Sequence, residues 1–384
     1  MANMMDYLDW RGDLTFQQSP FNEVDSLLLT ELAYVDFTDI VPGEPGSGKL
    51  PEQKMAAAVF LKDASHMFWD QHEEQEVLAH VSMTKMAPFV MKKMAQTRRF
   101  GNACLSRFVK DISIEEQSQF SAVCILLDDG SLFVSYSGTD STIIGWRENF
   151  NMSYLEHTPA QEKAVAYLNR SVVDAYHTVR IGGHSKGGNL AVYAAAYCEE
   201  KIRDKVVRIY SNDGPGFEGE VLGLPSYQQL RTRIKRVLPQ QAIVGMLLSH
   251  RVDYEVVRST ENHVKQHDML SWEVLGTQLI YEDKLSNKSV AIDEILKTWI
   301  AAMDLPQRKQ FIETVFFMLE RAGVESVDDL YHMKWKSVSE LIRSQRELTE
   351  QDKDILSKTW KLLIGAGNTK IRKMVTMSGP SREQ

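Results

Sequence analysis

Between residues 178 and 212 the chain reads TVRIGGHSKGGNLAVYAAAYCEEKIRDKVVRIYSN: a short β-branched run, a glycine pair, one serine, a second glycine pair, an alanine-rich stretch and another β-branched run. This pattern predicts strand, helix and strand. Two strands joined through one helix run parallel and cross over right-handed, so the region is α/β. Gly183-His184-Ser185-Lys186-Gly187 also fits G-x-S-x-G, which is weak alone and gains weight from its setting. A nucleophile elbow needs a strand, a strained one-residue turn and a helix, with small residues where the two pack. Glycines at 182, 183, 187 and 188 and alanines at 191, 194 and 195 meet that need, and the competing reading is a structural glycine loop. In an elbow, Ser185 stands at a helix N-terminus that favours developing negative charge, and the Lys186 amide is an oxyanion donor.

The flanking sequence extends the α/β reading. Phe120 to Leu127 and Ser131 to Ser137 predict two strands joined at Asp129-Gly130, a hairpin signal. Val24, Leu27, Leu28 and Leu32 have helical spacing, as does residue 52 to 99, where Met83, Met86, Met91 and Met94 lie among basic residues. Ordinary core packing is the first reading of those methionines, and a mobile cover over an apolar site is the second. A further helix is expected from about Pro159 to Ala175. From Asp283 onward the pattern is helical, with Asp304 as a start, Gly323 as a stop and Thr349 with Asp352 as a capping-box pair. The expected organisation is one domain over 1–282 that includes the helical stretch 52–99, a helical C-terminal extension over 283–374, and a frayed tail over 375–384.

Composition excludes several classes. With 43% hydrophobic and 25% charged residues the chain is an ordinary globular one, and a net charge of −8 argues against nucleic-acid binding. Cys104, Cys124 and Cys198 lack metal-ligand spacing and are expected as buried free thiols, which with the acidic N-terminus predicts a cytoplasmic protein. No apolar run is long enough to cross a membrane, which leaves peripheral membrane contact open. Residues 43 to 50, GEPGSGKL, approach a phosphate-binding loop but place Leu50 where a hydroxyl must ligate magnesium. His66, His72 and His80 do not share a helical face. No cofactor and no metal are expected.

A serine needs a histidine to take its proton and an acid to orient that histidine. Of the histidines downstream of Ser185, His267 in VKQHDMLSW follows the expected last strand, VDYEVVRS, and is the first choice; His263 is next and His250 less suitable. For the acid, Asp213 stands at the carboxyl end of the strand after the elbow helix, the sheet edge where sites form. Its alternatives are an ordinary turn residue at 213, or Asp253 as the acid; Asp268 adjoins His267 too closely in sequence to face it.

VSYSGTDSTIIGWRENF followed by IGGHSKGGNLA resembles the class 3 lipases. With YLDWRGDLTF, PQQAIVGMLL and QHDMLSWEV, these stretches look more like the Mbeg-like family of bacterial domains of unknown function, itself placed among the α/β-hydrolases. The resemblance spans most of residues 5 to 280. It implies an α/β-hydrolase fold, a mostly parallel sheet flanked by helices, with a helical C-terminal extension. It implies Ser185 as nucleophile, His267 as base, Thr139 with Asp140 beside the oxyanion, Trp146 beneath that loop, and a small-molecule or lipid ester as substrate. One departure stands out: class 3 lipases carry the acid about where this chain has Gln240 and Gln241, amides that cannot serve. Either Asp213 takes the role one strand earlier or the triad is incomplete, and the alternative to an esterase is a hydrolase-like binding protein.

Overall fold

The computed structural model describes residues 1–43, 58–79, 84–140, 142–324, 347–359 and 361–362. Its main sheet places β1 (Val59–Phe60), β2 (Cys104–Ser113), β3 (Ser118–Leu126), β4 (Leu132–Tyr136), β5 (Val179–His184), β6 (Val206–Asn212), β7 (Ile234–Pro239) and β8 (Glu255–Val257) side by side in chain order. A small hairpin of β9 (Val274–Leu275) and β10 (Gln278–Leu279) precedes β11 (Tyr281–Glu282), which closes the far edge. The sheet is mixed: parallel from β4 to β8, and antiparallel on both flanks.

Helices α1 (Met4–Arg11), α2 (Glu23–Glu31), α3 (Leu61–Gln71), α4 (Glu74–Ala79) and α5 (Ala87–Ala95) precede β2. Next come α6 (Ile143–Asn151), α7 (Pro159–Ser171), α8 (Lys186–Tyr197), α9 (Glu200–Arg203) and α10 (Pro225–Leu230), and after β11 follow α11 (Asn287–Ala301) and α12 (Leu305–Arg321). Because β4 to β7 succeed one another without reversal, crossovers of one hand carry their helices to one face. There Ala164 and Tyr167 of α7, Leu190 and Ala194 of α8 and Leu230 of α10 bury against Cys124, Val134 and Ile181. Alternate side chains of the same strands, Val123, Ile125, Phe133 and Tyr210, point the opposite way, where no crossover helix lies. Tyr7, Leu27, Leu28, Phe68, Met91 and Met94 of the N-terminal helices cover them.

Two methionines of the 52–99 stretch belong to the core: Met91 and Met94 are fully buried, Met86 is half-buried, and Met83 lies outside the described residues. Arg99, at the end of that stretch, is locked in a buried cluster. Its Nε and Nη2 donate to the two Asp25 carboxylate oxygens at 2.7 and 2.6 Å. Its Nη1 donates to the carbonyls of Leu14, Thr15 and Ser19, and Tyr7 and the Asn22 amide complete the Asp25 shell. Each side-chain polar atom of Asp25 and Arg99 that burial strips of water thus finds a partner.

The expected hairpin forms, with Ala122 opposite Tyr136, Leu126 opposite Leu132 and Gly130 at φ 79°. Strand β2 had no clear signal, because a bulge between Ser106 and Val109, with Arg107 at φ 55°, breaks its alternation. The expected helix to Ala175 ends at Ser171. Asp304 caps α12 through a capping box with Gln307, Gly323 ends it at φ 70°, and Thr349 and Asp352 exchange hydrogen bonds. Through Ile312 and Phe316, α12 packs on Ile143 of α6. Cys124 and Cys198 are buried, Cys104 is half-buried, and none of the three is joined in a disulfide among the described residues. Among the described residues no helix is long and apolar enough to cross a membrane. Residues 44–50 of the loop that approaches a phosphate site, and the tail 375–384, lie outside the described residues.

Removing one member of the Arg99–Asp25 pair strands the other charge in the core. Arg99→Met should cost about 3–5 kcal/mol of unfolding free energy in urea titration, and Arg99→Met with Asp25→Leu should recover most of it. Equal losses in the two variants would contradict this reading of the pair.

Candidate active site

The elbow begins with close approach. A β-carbon on Gly183 would fall 2.1 Å from the Gly187 carbonyl carbon, and one on Gly187 2.1 Å from the Tyr136 carbonyl oxygen. Only with glycine at both positions can α8 start this near to β5 and β4. The turn between them is one residue, Ser185, at φ 55° and ψ −128°, a conformation that costs of the order of 1–3 kcal/mol for a residue with a β-carbon. Its amide is tied to the Asn212 carbonyl at 2.9 Å, and Ser185 itself is 8% exposed at the carboxyl ends of the parallel strands.

Asp213 follows β6 directly, fully buried at φ 46°, with its amide on the Val237 carbonyl. Its Oδ1 accepts from the Gly245 amide at 3.0 Å and its Oδ2 lies 2.6 Å from His267 Nδ1. A carboxylate only accepts, so Nδ1 is the donor of this bond, and Nε2 makes no hydrogen bond to another of the described residues. The two residues are 54 positions apart in sequence. Behind them the buried Arg236 donates from Nη2 to the Gly245 carbonyl, so Gly245 is held at both its N–H and its carbonyl. Burial pulls the Arg236 pKa down to about 10, against the field of Asp213.

His267 ends a short 3-10 turn, His263–His267, that Gln241 braces. The Gln241 backbone N–H donates to Gln266 Oε1 at 2.7 Å, and the Gln241 side-chain Oε1 accepts from the His263 backbone N–H at 2.9 Å. Where the class 3 resemblance leads to the expectation of an acid, Gln241 is thus a strut for the histidine loop. A second support comes from the elbow. His184 Nε2 donates to the His267 carbonyl at 2.7 Å, and His184 Nδ1 accepts from the Tyr34 hydroxyl at 2.8 Å. Burial first, and then His267, push the His184 pKa well below the ordinary histidine value, so this ring stays neutral. Sequence reading gave neither Tyr34 nor His184 a role.

The loop after β4 lies against the elbow. A β-carbon on Gly138 would be 2.6 Å from the His184 carbonyl and 3.2 Å from Ser185 Cβ. Asn149 of α6 donates to Thr139 Oγ1 at 2.6 Å, while the Asp140 carboxylate accepts from the Thr142 amide and so serves the helix start. The amides of Lys186, Thr139 and Asp140 donate to no other described residue. Trp146 stands on α6 and is 42% exposed, not packed beneath the loop as expected.

The remaining candidates lie apart from the His267–Asp213 pair. His263 is exposed on the same turn, and the Asp268 side chain caps Leu270. His250 and Asp253 line a polar cavity of about 600 Å³ with Arg236, Tyr254, Asp283 and Lys297, and none of Ser185, Asp213 and His267 borders it. His66 pairs with Asp70 on the exposed side of α3, His72 follows that helix, and His80 is outside the described residues.

Among solved structures the chain is similar to one described as "Crystal structure of M37 lipase", with 14% identity and a TM-score of 0.31. The match covers 44% of this chain and 65% of that one, so this chain spans less than two thirds of that lipase's length. No curated protein matches the sequence. The Mbeg1-like family model matches residues 94–317, more than half of the chain and all of the elements that carry Ser185, Asp213 and His267. The chain belongs to the Mbeg1-like family.

Proposed function

We propose that this protein is a serine hydrolase that cleaves a carboxylic ester through an acyl-enzyme. The observation that carries the reading is the strained Ser185 elbow on the same sheet edge as a histidine whose Nδ1 is held by a buried carboxylate. In the first half-reaction Ser185 Oγ attacks the ester carbonyl carbon while its proton passes to His267 Nε2. Asp213 holds the ring in that tautomer and balances the imidazolium that forms. The carbonyl oxygen, now an oxyanion, is received by the Lys186 amide and by the amide of Thr139 or Asp140. His267 then protonates the departing alkoxide, leaving an ester on Ser185. Water repeats the sequence with the same groups and releases the acid. An acyl-lipid or other lipid ester is the substrate class that the class 3 resemblance favours.

A second reading, a hydrolase-like binding protein, is favoured by one feature: the Ser185 hydroxyl makes no hydrogen bond to His267 among those of the described residues. In free enzymes such bonds are often long and tighten only with substrate bound, so the feature does not exclude catalysis.

Labelling by a fluorophosphonate separates the two. Wild type should be labelled, Ser185→Ala and His267→Ala should not, and Asp213→Asn should lose on the order of 10⁴-fold in ester turnover. Unlabelled, natively folded wild type would leave the binding reading. Gly245→Ala offers a second test, since its new β-carbon would fall 2.3 Å from Asp213 Oδ1 and push the carboxylate away from His267. Its kcat should fall on the order of 100-fold. An unchanged kcat would remove Asp213 from the mechanism.

A further inference from the structure

Residue 186 directly follows the proposed nucleophile, and its side chain turns into the protein. Lys186 is 1% exposed. Its ammonium has three protons and finds three acceptors: the Gln119 carbonyl at 2.6 Å, Gln119 Oε1 at 2.7 Å and Glu148 Oε2 at 2.8 Å. Glu148 is fully buried and equally satisfied, with Oε2 also accepting from the Gln119 amide at 3.1 Å and Oε1 from the Ala160 amide at 3.0 Å. The cluster joins β3, α6, the start of α7 and the first turn of α8.

Stability is a poor reason for such a pair. Stripping both charges of water offsets most of their attraction, and well-packed apolar side chains of similar volume commonly serve as well or better. What the pair does supply is a fixed geometry, because each partner left alone would be an uncompensated charge. The elements it fixes are informative. Glu148 holds Lys186, and the next residue on the same helix, Asn149, holds Thr139 Oγ1 at 2.6 Å. One turn earlier, Gly145 is bare where a β-carbon would lie 2.9 Å from both Asp140 Oδ1 and Thr139 Cγ2, so the loop rests directly on the helix. Helix α6 therefore grips the elbow through one residue and the facing loop through its neighbour.

We propose that Lys186 and Glu148 are positioning residues for the oxyanion site: their buried ion pair sets the distance between the Lys186 amide and the amides of Thr139 and Asp140. This inference rests on the hydrolase reading above. It has a mechanical consequence, that α6 stays docked through turnover, since moving it would open a buried ion pair. Trp146, on the outer side of α6, then meets substrate or solvent as part of a fixed wall.

The test is the double variant Lys186→Met with Glu148→Leu, which removes both charges and leaves neither unpaired. The single variant Lys186→Met strands a carboxylate and is expected to fold poorly, so it serves as the folding control. The double variant should keep a native circular dichroism spectrum and a cooperative melt. Its kcat on a chromogenic short-chain ester should fall between about 10-fold and 100-fold, with KM within about threefold, because oxyanion contacts act on the transition state. Amide hydrogen exchange over 139–151 should speed up, together with the Ala160 amide that Glu148 holds, with the rest of α7 and α8 unchanged. Glu148→Gln, which keeps an acceptor without the charge, should fall between wild type and the double variant in kcat. An active wild type matched by an equally active double variant with unchanged exchange overturns the inference. An inactive, unlabelled wild type overturns the hydrolase reading instead, and exchange alone then decides whether the pair docks α6.

Discussion

A one-residue turn from strand to helix requires the helix to lie almost on the strand it leaves, and the rest of the molecule is arranged around that contact. With Gly183 and Gly187 approaching each other without β-carbons, α8 starts beside β4 and β5, and Ser185 is forced to φ 55°. The neighbours of Ser185 are then sent in opposite directions. His184 reaches Tyr34, at the end of the N-terminal helical layer, and Lys186 reaches Glu148 on α6. Each face of the sheet thereby holds one side of the elbow.

That division follows from strand order. Strands β4 to β8 succeed one another without reversal, so the crossover helices occupy one face and something else must cover the other. The described helices that precede β2 do so, and the Arg99–Asp25 cluster fastens them. The N-terminal layer is thus part of the site: through Tyr34 and His184 it bears on the backbone of His267, whose ring is turned by Asp213 from the far side. A buried, neutral His184 suits this place, since a charged ring there would oppose the imidazolium that the proposed mechanism forms on His267.

Local features were legible in the sequence and distant pairings were not. The β3–β4 hairpin, the elbow, the Asp304 cap and the Gly323 stop are each written within a few residues, as a turn dipeptide, a glycine pattern or a capping residue. Strand β2 escaped because its bulge at Arg107 erases the period that marks a strand. Asp213 and His267 could be nominated from their places after expected strands, but only the folded chain puts them 2.6 Å apart. Gln241 shows the limit most clearly: as an amide at an expected acid position it looked like a missing catalytic group, and it is a brace for the turn that carries His267. Lys186 and Glu148, 38 residues apart, carry no spacing signal, and a lysine after the serine reads as a surface residue until its burial is known.

The central claim is that Ser185 becomes acylated. The most direct measurement mixes the protein with a slowly deacylating nitrophenyl ester, quenches in acid and maps peptides by tandem mass spectrometry. The account predicts a burst of nitrophenolate close to one per chain and an acyl mass on the peptide containing Ser185. Natively folded protein that gives no burst and carries no acyl group on that serine would contradict it.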